Sequence, residues 1–108
     1  MTMKIVRTHF YIRDIKRLKA SAEDIDAMER MVAANPFAGA LIQGLKGVRK
    51  ARFRIGNRGK SSGGRTIYFI VVAGNMVVML MAYAKAEKHD LSPEDRREVL
   101  RILEAMRK

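Results

Sequence analysis

Two apolar runs separated by a short polar break constrain the fold of this chain more than any other feature. The runs are Ile67 to Val72 and Met76 to Tyr83, and Ala73-Gly74-Asn75 lies between them. The whole stretch is only about 17 residues long, whereas a membrane-spanning helix needs about 20 apolar residues. Strand-forming residues on either side of a Gly-Asn turn are instead typical of a β-hairpin. Because both runs are nearly continuous, we expect both faces of the hairpin to be covered.

Helical patterns lie on both sides of this hairpin. The apolar spacing from Phe10 to Leu18 predicts a short first helix, and a second is predicted from Ser21 to Ala34. Ser21 can cap this second helix, and Pro36 ends it. A last helix is predicted to begin at Ser92-Pro93, because Ser is a frequent cap and Pro is favoured at the first helical position.

Two further segments are predicted to be strands. Lys4 to Arg7 is predicted as an edge strand, and Val48 to Ile55 alternates between apolar and basic residues. The resulting order, β-α-α-β-β-β-α, predicts an α+β fold. We expect a small antiparallel β-sheet with an N-terminal helical hairpin and a C-terminal helix. No linker divides the chain, so residues 1–108 are predicted to form a single domain.

Positive charge is concentrated in the middle of the chain. The formal net charge is +11, and no Asp or Glu occurs between Glu29 and Glu87. Eight of the cations fall between Lys46 and Arg65. Such a dense positive field favours a polyanionic partner, for which RNA or DNA phosphate is the usual source. The alternative is a basic protein whose charge serves only solubility.

The strand within this basic run has a regular spacing of charge. Lys50, Arg52 and Arg54 alternate with apolar residues and therefore share one strand face. Their separation of about 6.6–7 Å is close to the phosphate spacing of an extended nucleic-acid strand, although a solvated strand face has the same pattern. The residues predicted to contact RNA are Lys46, Arg49, Lys50, Arg52, Arg54 and Arg58.

Several kinds of chemistry are disfavoured by composition. The chain contains no Cys, which excludes disulfides, zinc ribbons and thiol nucleophiles. The two histidines, His9 and His89, are far apart in sequence, so we expect neither a metal site nor a paired-histidine nuclease. No cofactor is expected. The N-terminus lacks the apolar core of a signal peptide, and we expect a cytoplasmic protein.

Five short motifs together resemble one protein family. They are NPFAG at 35–39, GLKG at 44–47, VRKAR at 48–52, GKSSGGRTIY at 59–68 and YAKAEKHDLS at 83–92. In this order they are similar to the motifs of RelE/HigB-type toxins of bacterial type II toxin–antitoxin modules, within the RelE/ParE superfamily. The GKSS segment is not a Walker A motif, because it leads into a strand rather than a helix.

The resemblance implies a fold, an activity and a set of partners. The fold would be RelE-like, and the activity would be ribosome-dependent, metal-independent cleavage of mRNA that inhibits translation. The partners would be the ribosome, mRNA and a cognate antitoxin with an acidic segment and a DNA-binding domain. Operator DNA would be contacted only through the antitoxin, and no membrane would be involved.

The predicted hairpin brings the candidate catalytic residues to one end of the sheet. Its register places Arg65 near Tyr83 and Lys85, and we expect Arg65, at a position where the family has a functional Arg, to clamp the phosphate. Lys85 would act as base or phosphate ligand, and Glu87 would hold Lys85 or Arg65; Lys60 lies on the preceding loop. The alternatives are a strand-edge cation for Arg65, a surface salt bridge for Glu87 and a core position for Tyr83.

Two other functions remain open. A ParE-like toxin would inhibit DNA gyrase without cutting RNA, and a basic RNA-binding protein would explain the charge. An inhibitor that acts by binding needs no phosphate clamp, so the set of Lys50, Arg52, Arg65 and Lys85 speaks against the first. The second does not explain the late Tyr-x-Lys-x-Glu arrangement that begins at Tyr83.

Overall fold

The computed structural model describes residues 2–56 and 63–106, and it confirms the α+β class. The predicted helices and long strands are present, and a two-residue strand is added between the second helix and the basic strand. The elements are β1 Lys4–Arg7, α1 His9–Leu18, α2 Ala22–Ala34, a 3₁₀ turn Pro36–Ala38, β2 Ala40–Leu41, β3 Arg49–Phe53, β4 Gly64–Val71, β5 Met76–Ala84 and α3 Pro93–Met106.

The five strands form one sheet in the order β1-β5-β4-β3-β2. The predicted hairpin of β4 and β5 lies at its centre, and the pairs β3–β4 and β2–β3 are also antiparallel. The sheet is nevertheless mixed rather than wholly antiparallel, because β1 pairs with β5 in parallel. No turn joins these two strands, which are far apart in sequence, so nothing local imposes antiparallel pairing.

The helices cover opposite faces of the sheet. Tyr11 of α1 and Val32 of α2 pack with Phe53 of β3 in one core cluster. Val99 and Leu103 of α3 pack with Leu80 and other residues in a second cluster on the other face. The nearly continuous hydrophobicity of β4 and β5 therefore has the predicted cause, which is burial on both sides. Within 2–56 and 63–106, no helix combines the length and apolar character needed to cross a membrane.

A β-bulge in β5 sets which side chains share a face. Tyr68 pairs with Met79, but Ile67 pairs with Met81, so Leu80 is an extra residue in β5. Before the bulge the odd-numbered residues of β5 face α1 and α2, and after it they face α3. The bulge therefore moves Tyr83 to the face of α3, as bulges often re-aim side chains near functional sites.

Side-chain caps begin the helices as the sequence predicts. The Ser21 hydroxyl accepts a hydrogen bond from the backbone N–H of Asp24 at 3.0 Å. The Ser92 hydroxyl likewise accepts from the N–H of Asp95 at 3.0 Å. The carboxylate of Asp24 accepts from the N–H of Gly56 at 2.8 Å, so it joins α2 to the end of the basic strand.

Candidate active site

A row of three polar side chains crosses the sheet on the face of α3. Arg52 of β3 is directly opposite Arg65 of β4, and Arg65 is directly opposite Tyr83 of β5. Opposed residues in neighbouring strands have Cβ atoms about 4.5–5.5 Å apart. Two like charges in this position repel each other, and a bound anion would relieve that repulsion. The predicted juxtaposition of Arg65 and Tyr83 is confirmed.

Arg65 is unusual because its charge is buried. The residue is only 7% exposed, and its Nη1 donates to the carbonyl oxygen of Gly64 at 3.0 Å. A guanidinium remains protonated in proteins, and its planar fork suits two oxygens of one phosphate. Arg65 is therefore a cation held in place on the sheet, whereas Arg52 beside it is exposed.

Tyr83 is buried beneath a second cation. It is 1% exposed, and its hydroxyl has no hydrogen-bond partner among residues 2–56 and 63–106. The ammonium of Lys88 lies 5.6 Å from the centre of the Tyr83 ring. Burial raises the pKa of Tyr83 to about 12, with a further increase from Asp90 and a smaller opposing effect from Arg65. A tyrosine with the ordinary pKa of 10.0 is already protonated at neutral pH, and burial extends the protonated range of Tyr83 to higher pH.

Lys50 forms the next row of the same face. It is opposite Ile67, which is in turn opposite Met81. Its Nζ lies 3.9 Å from Oδ1 of Asp90, a residue that follows β5. Lys50 and Arg52 thus occupy the positions along β3 that the alternation predicts, and Lys50 already faces a carboxylate.

Lys85 and Glu87 follow the end of β5 but diverge. Lys85 is exposed, and its N–H extends the hairpin by donating to the carbonyl of Gly63 at 3.0 Å. Glu87 accepts from Nη1 of Arg17 at 2.6 Å and from the N–H of Ala84 at 2.9 Å. We expected Glu87 to hold Lys85 or Arg65, whereas its described partners belong to α1 and to the end of β5.

Solved structures share this architecture, although no family model matches the chain. A mutant of the E. coli toxin RelE in the free state covers 94% of this chain and 97% of its own, with a TM-score of 0.60 and 19% identity. The RelBE2 toxin–antitoxin complex from Mycobacterium tuberculosis covers 78% and 99%, with a TM-score of 0.58 and 22% identity. A conserved hypothetical protein from Helicobacter pylori covers 79% and 97%, with a TM-score of 0.53 and 16% identity.

The chain has the RelE-type toxin fold. The free E. coli toxin matches it over nearly the full length of both chains, so the similarity includes the sheet, the paired helices and the terminal helix. At these identities the similarity establishes the fold and leaves the assignment of residues to the geometry of this chain.

Some of the predicted RNA contacts lie away from the row within this RelE-type fold. Arg49 alternates to the opposite face of β3, where its Nη1 donates to the carbonyls of Phe37 at 3.0 Å and Gly39 at 2.7 Å. Lys46 lines a small apolar pocket with Phe69 and other residues, at the far end of α3 from the row. Arg49 is thus tied to the turn before β2, and we leave both cations out of the proposed site.

The remaining predicted cations differ in how far the structure describes them. Arg54 is exposed just beyond β3, and its Nε donates to the carbonyl of Gly56 at 3.0 Å. Arg58 and Lys60 lie outside the described residues, so their predicted roles in binding and catalysis stay predictions.

Sequence reasoning treated Asp90 only as a surface salt bridge and gave no role to Lys88. Lys88 lies over Tyr83 and pairs with Asp95 in the first turn of α3. Asp90 pairs with Lys50 of β3, which is 40 positions earlier in the chain. The only available signal was the alternation of sign in the segment EKHD, and such a run is usually a solvated surface. Their partners are set by tertiary contacts that no local pattern encodes.

Proposed function

We propose that this chain is the toxin of a type II toxin–antitoxin pair and acts as a ribosome-dependent mRNA endoribonuclease. The observation that carries the proposal is the cross-strand row of Arg52, Arg65 and Tyr83, with Lys50 in the next row. Two adjacent guanidinium groups and an ammonium on one face suit consecutive phosphates of a single RNA strand. The RelE-type fold supports the assignment to toxins.

The reaction would need no metal ion. The 2′-oxygen of a ribose attacks the adjacent phosphorus, the bond to the 5′-oxygen of the next nucleotide breaks, and a 2′,3′-cyclic phosphate is formed. Negative charge accumulates on the non-bridging oxygens, where Arg65 and Arg52 would donate hydrogen bonds. One donor aimed at such developing charge is typically worth about 3–4 kcal/mol, or a hundredfold or more in rate.

Two proton transfers accompany this reaction. The 2′-hydroxyl must lose a proton and the leaving 5′-oxygen must gain one. Lys85, exposed at the end of β5, would act as base or phosphate ligand, and Lys60 would add a further cation. Tyr83 is protonated at neutral pH, as a tyrosine with the ordinary pKa of 10.0 also is, so its role would be donation to the leaving oxygen.

The proposed partners follow from what the chain lacks and from its charge. It has no Trp, three Tyr and four Phe, so few aromatic side chains are available to stack on unpaired bases. Presentation of mRNA by the ribosome would compensate for this shortage.

A net charge of +11 also favours an acidic segment of a cognate antitoxin, which would cover the basic face and exclude RNA. RelBE2 is itself a toxin–antitoxin complex. Action in the cytoplasm, and contact with operator DNA only through the antitoxin, are part of this proposal.

Primer extension on mRNA translated in a purified system tests the nuclease directly. We expect cuts within codons for the wild-type chain, persistence of these cuts in EDTA, and at least a hundredfold slower cleavage for Arg65→Ala. Arg97→Ala is the matched control, because Arg97 is an exposed arginine on α3 away from the row. Equal cleavage by Arg65→Ala and Arg97→Ala would contradict the role of Arg65.

Primer extension, together with a gyrase supercoiling assay and an RNA-binding assay, separates the alternative functions. Intact mRNA together with inhibited supercoiling by DNA gyrase would indicate a ParE-like toxin. Intact mRNA with retained RNA binding and normal supercoiling would indicate a basic RNA-binding protein.

A further inference from the structure

We propose that residues 85–91, here called the strap, are a built-in cover of the phosphate site and that Asp90 competes with RNA phosphate for Lys50. The inference rests on the proposed function, and it concerns how that site is kept closed. In the structure the strap ties the end of β5 to three other elements of the fold, and each tie is an ion pair.

The path of the strap is fixed by sheet order. It starts at the end of β5, yet Asp90 reaches Lys50 on β3, with a separation of 3.9 Å between Oδ1 and Nζ. β4 lies between these strands, and neighbouring strands are about 4.8 Å apart, so the strap spans about 10 Å over β4. Leu91 at its end is 8% exposed and shares a core cluster with Ile67 of β4. The strap therefore crosses the sheet beside Arg65.

Three ion pairs hold the strap, one to each neighbouring element. Glu87 pairs with Arg17 of α1 at 2.6 Å. Lys88 pairs with Asp95 of α3 while its ammonium lies over the Tyr83 ring. The third pair is that of Asp90 with Lys50 of β3. These pairs are partly exposed, and exposed ion pairs contribute little to stability. These ion pairs therefore oppose the displacement of Asp90 from Lys50 by a polyanion only weakly, while Leu91 stays in the core cluster.

The closed strap explains two features of the site together. The Tyr83 hydroxyl is buried and has no hydrogen-bond partner in the described parts of the chain, which is a cost of the closed state that a partner in the open state would relieve. The Asp90 carboxylate lies 3.9 Å from Lys50, which is one of the alternating cations of β3 that could bind phosphate. Displacement of the strap by RNA would free Lys50 and uncover Tyr83 in one movement.

Binding of a short 2′-O-methyl RNA tests the competition, because this probe cannot be cleaved by its own 2′-oxygen. We expect Asp90→Asn to tighten binding roughly fivefold, because RNA would no longer have to displace a carboxylate 3.9 Å from the Lys50 ammonium, and the attraction of two unit charges about 4 Å apart in water corresponds to about that factor. The matched control is Glu104→Gln, which removes the same charge near the exposed C-terminal end of α3. That position is about 16 Å along the helix from its start, beyond the Debye length of about 10 Å at 0.1 M salt, so its effect should stay below about twofold.

The increase in RNA affinity caused by Asp90→Asn must also depend on Lys50. In a Lys50→Met background, Asp90→Asn should change affinity no more than Glu104→Gln does. Equal effects of Asp90→Asn and Glu104→Gln in the wild-type background would overturn the competition. Salt-independent binding, or none, would instead contradict the proposed function and the competition that rests on it.

Hydrogen exchange of the free protein tests the cover without RNA. The N–H groups of Glu87 and Lys88 donate to the carbonyl of Ala84, and that of Ser92 donates to the Asp95 carboxylate, so all three can report opening. We expect faster exchange at these amides in Asp90→Asn and Lys88→Gln than in Glu104→Gln. Unchanged exchange in both strap variants would overturn the cover even if RNA binds as proposed.

Discussion

At the level of single residues, the candidate site places a charged and a neutral side chain next to each other in a buried position. Arg65 keeps a permanent positive charge although it is 7% exposed, and Tyr83 beside it keeps its proton. In the proposed mechanism the charged group would bind phosphate and the neutral group would donate a proton.

The three tyrosines provide a residue-scale prediction about alkaline pH. Burial is the largest cause in each case, and it raises the pKa of Tyr11, Tyr68 and Tyr83 above the ordinary value of 10.0. The hydrogen bond between Tyr11 and Glu29 adds to the increase for Tyr11. The native protein should therefore form little tyrosinate at pH 10, whereas the chain unfolded in urea should titrate with a midpoint near 10.0.

The sign of the stability change follows from proton binding. Above pH 10 the native state binds more tyrosine protons than the unfolded state, so the free energy of unfolding falls as pH rises. Near-ultraviolet absorbance of native and unfolded protein measures the titration, and urea unfolding across this range measures the stability. A native tyrosine that ionises with a midpoint near 10 would contradict the burial of these hydroxyls.

At the scale of elements, a bulge and a close contact position the site. The extra residue Leu80 shifts the alternation of β5, and without it Tyr83 would face α1 and α2. The turn before β2 is tied to β3 and β4 by Arg49 and by Tyr68, whose hydroxyl donates to the carbonyl of Pro36 at 2.6 Å. The strand that carries Lys50 and Arg52 is thereby fixed against its neighbours.

Gly39 is the point where this turn meets the sheet, and it gives an element-scale prediction. A Cβ at position 39 would overlap the Tyr68 hydroxyl and lie 2.9 Å from Cζ of that ring and 3.1 Å from the carbonyl oxygen of Lys50. Gly39→Ala should therefore lower the free energy of unfolding by about 1–3 kcal/mol. Urea unfolding measures the change.

A double-mutant cycle identifies the source of the cost. Because Tyr68→Phe removes the overlapping oxygen, Gly39→Ala should cost less in the Tyr68→Phe background than in the wild-type chain. The Lys50 carbonyl contact remains, so part of the cost should persist. An equal cost in both backgrounds would mean that the Tyr68 hydroxyl is not the obstacle.

At the scale of the whole molecule, the decisive quantity is the net charge of +11 and its distribution. Four of the eleven acids lie in α2 and most of the others lie in or beside α3, so the β3–β4 region carries none. The strap is the exception, because it brings Asp90 back to this region. The fold thus keeps a strong positive face and supplies one carboxylate to it from a distant part of the chain.

Salt dependence measures how much of this charge RNA uses. If about six phosphates are neutralised, the logarithm of the affinity for a short 2′-O-methyl RNA should fall with the logarithm of salt concentration at a slope near −4. Lys50→Met should make the slope shallower by about 0.7, the share of one single-strand phosphate. The affinity is measured by fluorescence anisotropy over a series of salt concentrations. A slope near zero would remove the electrostatic basis for RNA binding.

Features that depend on neighbours along the chain could be predicted from the sequence. The hairpin of β4 and β5, the caps at Ser21 and Ser92, and the alternation of Lys50 and Arg52 on β3 all follow from local patterns. Each depends on residues a few positions apart, where periodicity and turn chemistry carry the information. The hairpin also predicted that Arg65 and Tyr83 lie at the same end of the sheet, whereas the bulge at Leu80 is what makes them directly opposed on one face.

Features that depend on residues distant in sequence could be seen only in the folded structure. The parallel pairing of β1 with β5, the bulge at Leu80 and the partners of Glu87 and Asp90 have no local signal. Parallel pairing joins segments with no turn between them, and an exposed charge selects a partner by position in space. For the same reason the alternation of β3 predicted its cations Lys50 and Arg52, whereas the ion pair of Lys50 with Asp90 is seen only in the fold.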